Sequence, residues 1–115
     1  MNYRVRDAIG AYAVTLADGE IVYHSIHPEL RAGRPVQLDF ADVEVFASPF
    51  FNAAVGTLLK DISAEDLNDL LGIANLSPAG THVLRRVIEN AKQYYQDATV
   101  RRAVDAMLEE RAKAV

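Results

Sequence analysis

Pro35-Val36-Gln37-Leu38-Asp39-Phe40-Ala41-Asp42-Val43-Glu44-Val45-Phe46-Ala47-Ser48-Pro49-Phe50-Phe51-Asn52-Ala53-Ala54-Val55-Gly56-Thr57-Leu58-Leu59-Lys60 is the stretch that decides the fold. Val36, Leu38 and Phe40 alternate with polar residues, as a strand with one buried face requires. An acidic bend carrying Asp39, Asp42 and Glu44 follows, and then a helix start. Ser48 is expected to cap that helix and Pro49 to occupy its first position. Phe50, Phe51, Ala53, Ala54, Val55, Leu58 and Leu59 cover too much of its circumference for a helix with a solvent face. It is therefore expected to pack on a sheet and on a second helix.

On the N-terminal side, Ala11–Thr15 reads as a strand and Ala17-Asp18-Gly19 as a turn or helix entry. Val22, Ile26 and Leu30 recur every four residues, predicting a helix over 20–32 that continues, kinked, through Pro28. Gly33 suits the left-handed position past its end. On the C-terminal side, Ser63 with Asp66 starts a helix over 64–71, closed by Gly72 and followed by a strand at 73–76. Pro78 opens a helix striped by Leu84, Val87, Ile88, Ala91 and Tyr95. The sum is an α/β sandwich of the small, one-core kind, a short mixed sheet with helices packed on it. Its central strand, 36–40, is expected between strands 11–15 and 73–76. Residues 1–96 form the domain and 97–115 a C-terminal helical extension. Val100, Val104, Met107 and Leu108 give that extension an apolar stripe, expected to serve assembly as a homodimer.

With 115 residues, half of them apolar, the chain has material for one domain. It contains no cysteine, which excludes a disulfide framework and a thiolate site or nucleophile. No apolar run reaches the roughly 18 residues of a membrane span, and no apolar run follows the arginines of 1–6. A soluble, cytoplasmic protein is expected. A net charge of -4 with dispersed basic residues lacks the footprint of a nucleic-acid binder.

Five blocks carry a family resemblance: Val36-Gln37-Leu38-Asp39-Phe40, Ser48-Pro49-Phe50-Phe51-Asn52, Gly56 with Leu58-Leu59, Asn75-Leu76, and Val87-Ile88-Glu89-Asn90-Ala91. From about Asp18 to Tyr95 the chain resembles the STAS-like domains grouped as DUF4325, related to the STAS domains of anti-sigma-factor antagonists. That resemblance implies a regulatory protein–protein contact module. It also implies partner switching with a histidine-kinase-like ATPase that phosphorylates a serine in the loop before the second helix. The contact loop would comprise Ala47, Ser48, Pro49, Phe50 and Asn52, with Ser48 the candidate phosphoacceptor. A phosphate there would meet helix-terminal amides while adding about two charges to a fitted surface. Against the Asp-Ser-Ser-Gly form of that loop, this chain reads Ala47-Ser48-Pro49-Phe50. Pro49 thus stands where the second serine, the usual acceptor, would be.

Other residues have plainer readings. Asp39, Asp42 and Glu44 could supply oxygen ligands to a divalent ion, but loop support by Asp39 and Asp42 is the better expectation. His24 and His27, with Glu29 beyond, lack a convincing remaining ligand set, so no metal or cofactor is expected. His82 is expected at a surface or loop contact. The Arg85-Arg86 and Arg101-Arg102 pairs, flanked by acids at helical spacing, read as solvated faces. Tyr94 and Tyr95 read as core and rim of the last helix. An enzyme is the rival class, but no phosphate loop or nucleophile–base pair is legible. An antitoxin or defence-system subunit that acts by binding is a further alternative.

Overall fold

The computed structural model describes residues 1–96. In chain order these form β1 (Asn2–Arg4), α1 (Val5–Ile9), β2 (Tyr12–Ala13), α2 (Leu16–Arg31), β3 (Val36–Asp39), β4 (Val45–Phe46) and α3 (Ser48–Ala54). A 3₁₀ turn (Gly56–Lys60), α4 (Ala64–Leu70), β5 (Leu71–Ala74) and α5 (Pro78–Gln96) complete them.

The expected α/β sandwich is present. Its pairings are all parallel rather than mixed: β3 lies between β1 and β5, while β2 and β4 form a separate ribbon. The central strand is where its alternation put it, and the strand expected at 73–76 flanks it but lies two residues earlier, at 71–74. The other neighbour is β1, not the 11–15 run. Asn-Tyr-Arg carries no apolar alternation, because an edge strand of three residues needs only one inward side chain, Tyr3.

Successive side chains alternate across a strand. Tyr3, Leu38 and Ile73 are register partners on the face beneath the helices, whereas Asn2, Gln37 and Gly72 lie exposed on the other. The core collects on the first face: Val22 and Ile26 of α2, Leu38 and Phe40 from the central strand, Phe50 and Phe51 of α3, and Leu58 are all buried to within 1%. The 48–60 stretch is thus the core segment expected. It is not one helix: α3 ends at Ala54, Val55 leaves helical geometry, and a 3₁₀ turn begins at Gly56. The Thr57 hydroxyl donates to the Asn52 carbonyl at 3.0 Å across this break.

Helix α2 starts four residues before the sequence reading placed it, capped by Thr15, whose hydroxyl accepts from the Asp18 N–H at 3.1 Å. Of the two readings of Ala17-Asp18-Gly19, a turn or a helix entry, the helix entry holds, with Gly19 near the start of α2. A side chain there would collide with the Phe50 carbonyl and approach Ala53 Cβ to 2.7 Å, so α2 and α3 meet backbone to backbone at this point. The helix runs through Pro28 and ends as expected. Gly33 takes φ +79, and Arg34 N–H and Gly33 N–H close back on the carbonyls of Glu29 and Leu30. Ser63 caps α4 by accepting from Asp66 N–H at 3.1 Å, and Gly72 belongs to β5 instead of ending the helix. Among the described residues no helix is long and apolar enough to cross a membrane. The stripe of Val100, Val104, Met107 and Leu108, and the extension 97–115, lie outside the described residues.

Candidate functional site at the carboxyl end of the sheet

Parallel strands deliver their loops to one edge, and that edge is where open α/β sheets hold functional groups. Here Arg4, Asp39 and Ala74 are register partners at that edge. Asp39 Oδ1 accepts from the Ala41 N–H and from Asn75 Nδ2, both at 2.9 Å. The Asn75 amide first, then the Ala41 N–H, hold the Asp39 carboxyl below the usual carboxylate range; Arg4 adds a smaller attraction. Asn75 itself sits at φ +58 and Asp42 at φ +64, both in the left-handed region that asparagine and aspartate tolerate best. Arg6 Nη1 donates to the Asp42 carbonyl at 3.0 Å. Asp39 thus acts through its carboxylate and Asp42 through its backbone. Glu44 is exposed.

Beyond this clasp the chain enters the β2–β4 ribbon. Ala13 and Phe46, register partners, face inward; Tyr12 and Val45, the other pair, face out, 60% and 43% exposed. The Phe46 ring stacks on Phe51 at 5.9 Å and meets Phe40 edge-on at 5.9 Å. This aromatic fan fastens the ribbon to α3 and to the end of β3. The ribbon leaves two apolar side chains exposed because none of the described residues covers its outer face. Sequence reading missed them: Tyr12 looked like part of a longer strand and Val45 like part of a bend.

Ser48 does not cap α3. The Ala47 N–H donates to the Ala13 carbonyl at 3.0 Å, so pairing holds the chain extended through Ala47 and makes it the cap residue. Ser48 becomes the first helical residue and makes no side-chain cap bond, with Pro49 next. The contrast is Ser77-Pro78, where the Ser77 hydroxyl accepts from Gly80 N–H at 3.1 Å. Phe50, expected in the contact loop, is fully buried and belongs to the core; two residues past the helix start, the turn has already carried it inward. Ser48, Pro49 and Asn52 are exposed, and Ser48 and Asn52 share a helix face at four-residue spacing. The exposed Ser48 and Pro49 follow Val45, the register partner of Tyr12, within four residues, while Asn52 lines a hollow with Thr57, Asn90 and Tyr95.

His27 is engaged elsewhere, while His24 is exposed beside the Tyr23 ring. His27 Nε2 lies 2.9 Å from Asp61 Oδ2, its ring stacked on Tyr23 at a centroid distance of 4.8 Å. Arg31 Nη1 donates to the Asp61 carbonyl at 3.0 Å, joining α2 to the end of the 3₁₀ turn, and Glu29 pairs with Arg34. Burial first, then the Asp61 charge and that of Tyr95, raise the Tyr23 phenol. Among the described residues, no three His, Cys, Asp or Glu side chains are placed to hold a metal ion. His82, Arg85 and Arg86 are exposed on α5, and Arg101-Arg102 lies outside the described residues.

A family model described as "STAS-like domain of unknown function (DUF4325)" matches residues 18–81. The chain belongs to this STAS-like family. Comparison with curated proteins and with solved structures returned no match. The DUF4325 match takes in the central strand, the clasp at Asp39 and Asn75, Val45 and Ser48, and leaves out Tyr12 and most of α5.

Proposed function

We propose that this DUF4325 chain is a non-enzymatic regulatory module that binds another protein through the surface of Tyr12, Val45, Ala47, Ser48, Pro49 and Asn52. The observation that carries the reading is the outward Tyr12–Val45 pair. Two large apolar side chains held in water by a ribbon locked from behind form a preorganised contact patch, and tyrosine is a favoured anchor at protein interfaces. Ser48 is exposed and follows Val45 by three residues, with its hydroxyl free of a capping duty. A phosphate at Ser48 would add charge beside the apolar pair without unmaking a helix cap. This supports a switch by a kinase-like ATPase, with Ser48 the acceptor. The clasp at Asp39 holds the loop that presents the patch.

Ser48→Asp tests the reading. It should lower retention of the native partner by at least about tenfold, roughly 1.4 kcal/mol, with an unchanged thermal melt, while Ser48→Ala should retain it. Equal retention by Ser48→Asp, or turnover of a small molecule by the purified chain, would contradict the proposal.

A further inference from the structure

Helices α3 and α5 meet along a seam whose direction two glycines reveal. A side chain at Gly80, in the first turn of α5, would come within 3.2 Å of the Phe46 ring, two residues before α3 begins. One at Gly56, two residues past the end of α3, would come within 3.3 Å of Val87 and 3.7 Å of Ala91. Both helices therefore start at the same end of the seam and run the same way. Partway along it, Asn52 of α3 and Asn90 of α5 line one hollow of about 300 Å³. The other flank of α3 is taken by α2, whose Gly19 lies against Phe50, Ala53 and Ala54.

Residues four apart share a helix face. One turn before Asn52 stands Ser48, and one turn before Asn90 stands Arg86. Equal steps along helices that run the same way keep opposed residues opposed, so Ser48 and Arg86 address one stretch of the seam, about 6 Å nearer its start. Both are exposed. Ser48 makes no cap bond, and among the described residues Arg86 has no hydrogen-bonding or ion-pair partner. The nearest acid along α5, Glu89, faces Lys92 at 3.9 Å. A guanidinium offers a planar fork of donors that fits phosphate oxygens two at a time.

We propose that a phosphate on Ser48 is held within the molecule by Arg86, reaching across the α3–α5 seam. This rests on the reading of Ser48 as the phosphoacceptor. In that transfer Ser48 Oγ bonds to the γ-phosphorus of ATP, the bond to the departing ADP breaks, and the hydroxyl proton passes to the kinase. The phosphate is then a fixed part of the α3–α5 surface instead of a loose charge. Aspartate at position 48, with one charge on a shorter side chain, does not make the pair.

The full-length chain made with phosphoserine at position 48 tests this without a partner. At pH 7.5 it should melt higher than the unphosphorylated chain by roughly 2 °C or more. With Arg86→Gln the phosphate should bring no gain. Arg85→Gln, turned about 100° away on α5, should keep it. The Arg86 Nε–H signal in the NMR spectrum should shift on phosphorylation while that of Arg85 stays. No gain in the wild type, an equal gain with Arg86→Gln, or an unmoved Arg86 signal would overturn the proposal. If these results hold while Ser48→Asp retains the native partner fully, the contact reading fails and the phosphate site stands. Level melts with loss of the partner would show the reverse.

Discussion

Asp39 ties together two loops that the sequence separates by 36 positions, and its charge carries the tie. Its folded-state carboxyl binds a proton more weakly than in the unfolded chain, because Asn75 and Ala41 donate to the ionised form. Its contribution to stability is therefore complete above the usual carboxylate pKa and fades as pH falls through the lowered folded value. Asp39→Asn should be less stable than wild type at pH 7, and the gap should close below about pH 4; a gap constant with pH would show that charge is not involved. At Asn75 the backbone contributes separately. Asn75→Gly and Asn75→Ala both lose the amide, but only alanine must bear φ +58, so denaturant melts should place alanine about 1 kcal/mol below glycine. At Ser48 an alanine should cost almost nothing, since the hydroxyl caps no helix. A loss near the ~1 kcal/mol of a true cap would put Ser48 back in that role.

Elements with strong periodicity were legible. Val36, Leu38 and Phe40 announced the central strand, and Gly33 the helix end with its left-handed glycine. Gly19 was legible only as part of a turn or helix entry, because its close approach to α3, distant in sequence, leaves no local signal. Gly19→Ala gains about 1 kcal/mol of helix propensity, yet its methyl group would collide with the Phe50 carbonyl and Ala53. A carbonyl inside a helix cannot swing aside, so the variant should melt lower by roughly 1 to 3 kcal/mol net. A more stable variant would mean that α2 and α3 can part. Phe51→Ala, which empties the centre of the aromatic fan, should cost about 3 to 5 kcal/mol and release the ribbon with it. The strands β1 and β4 were invisible, and β2 was seen only as part of a longer strand at 11–15, for a related reason: strands of two or three residues hold no full period, and only their pairing defines them.

At the scale of the whole molecule, the order of strand and helix signals was enough for the fold class, but pairing decided what lies at the surface. The sequence reading put the candidate site at the junction after β3, through Asp39, Ser48, Pro49 and Asn52, and all but Asp39 are exposed there. Phe50 moved inward because one helical turn separates a loop residue from a core residue. Tyr12 joined from outside the family match because β2 pairs with β4. The central claim is that this composite surface meets another protein. A photoreactive benzoylphenylalanine at Tyr12, compared in the native cell with the same group at the exposed Ile21 of α2, tests it most directly. The account predicts a discrete cross-linked species from position 12, absent from position 21 and lost when Ser48→Asp is added. No cross-link at position 12, or the same species from both positions, would contradict it.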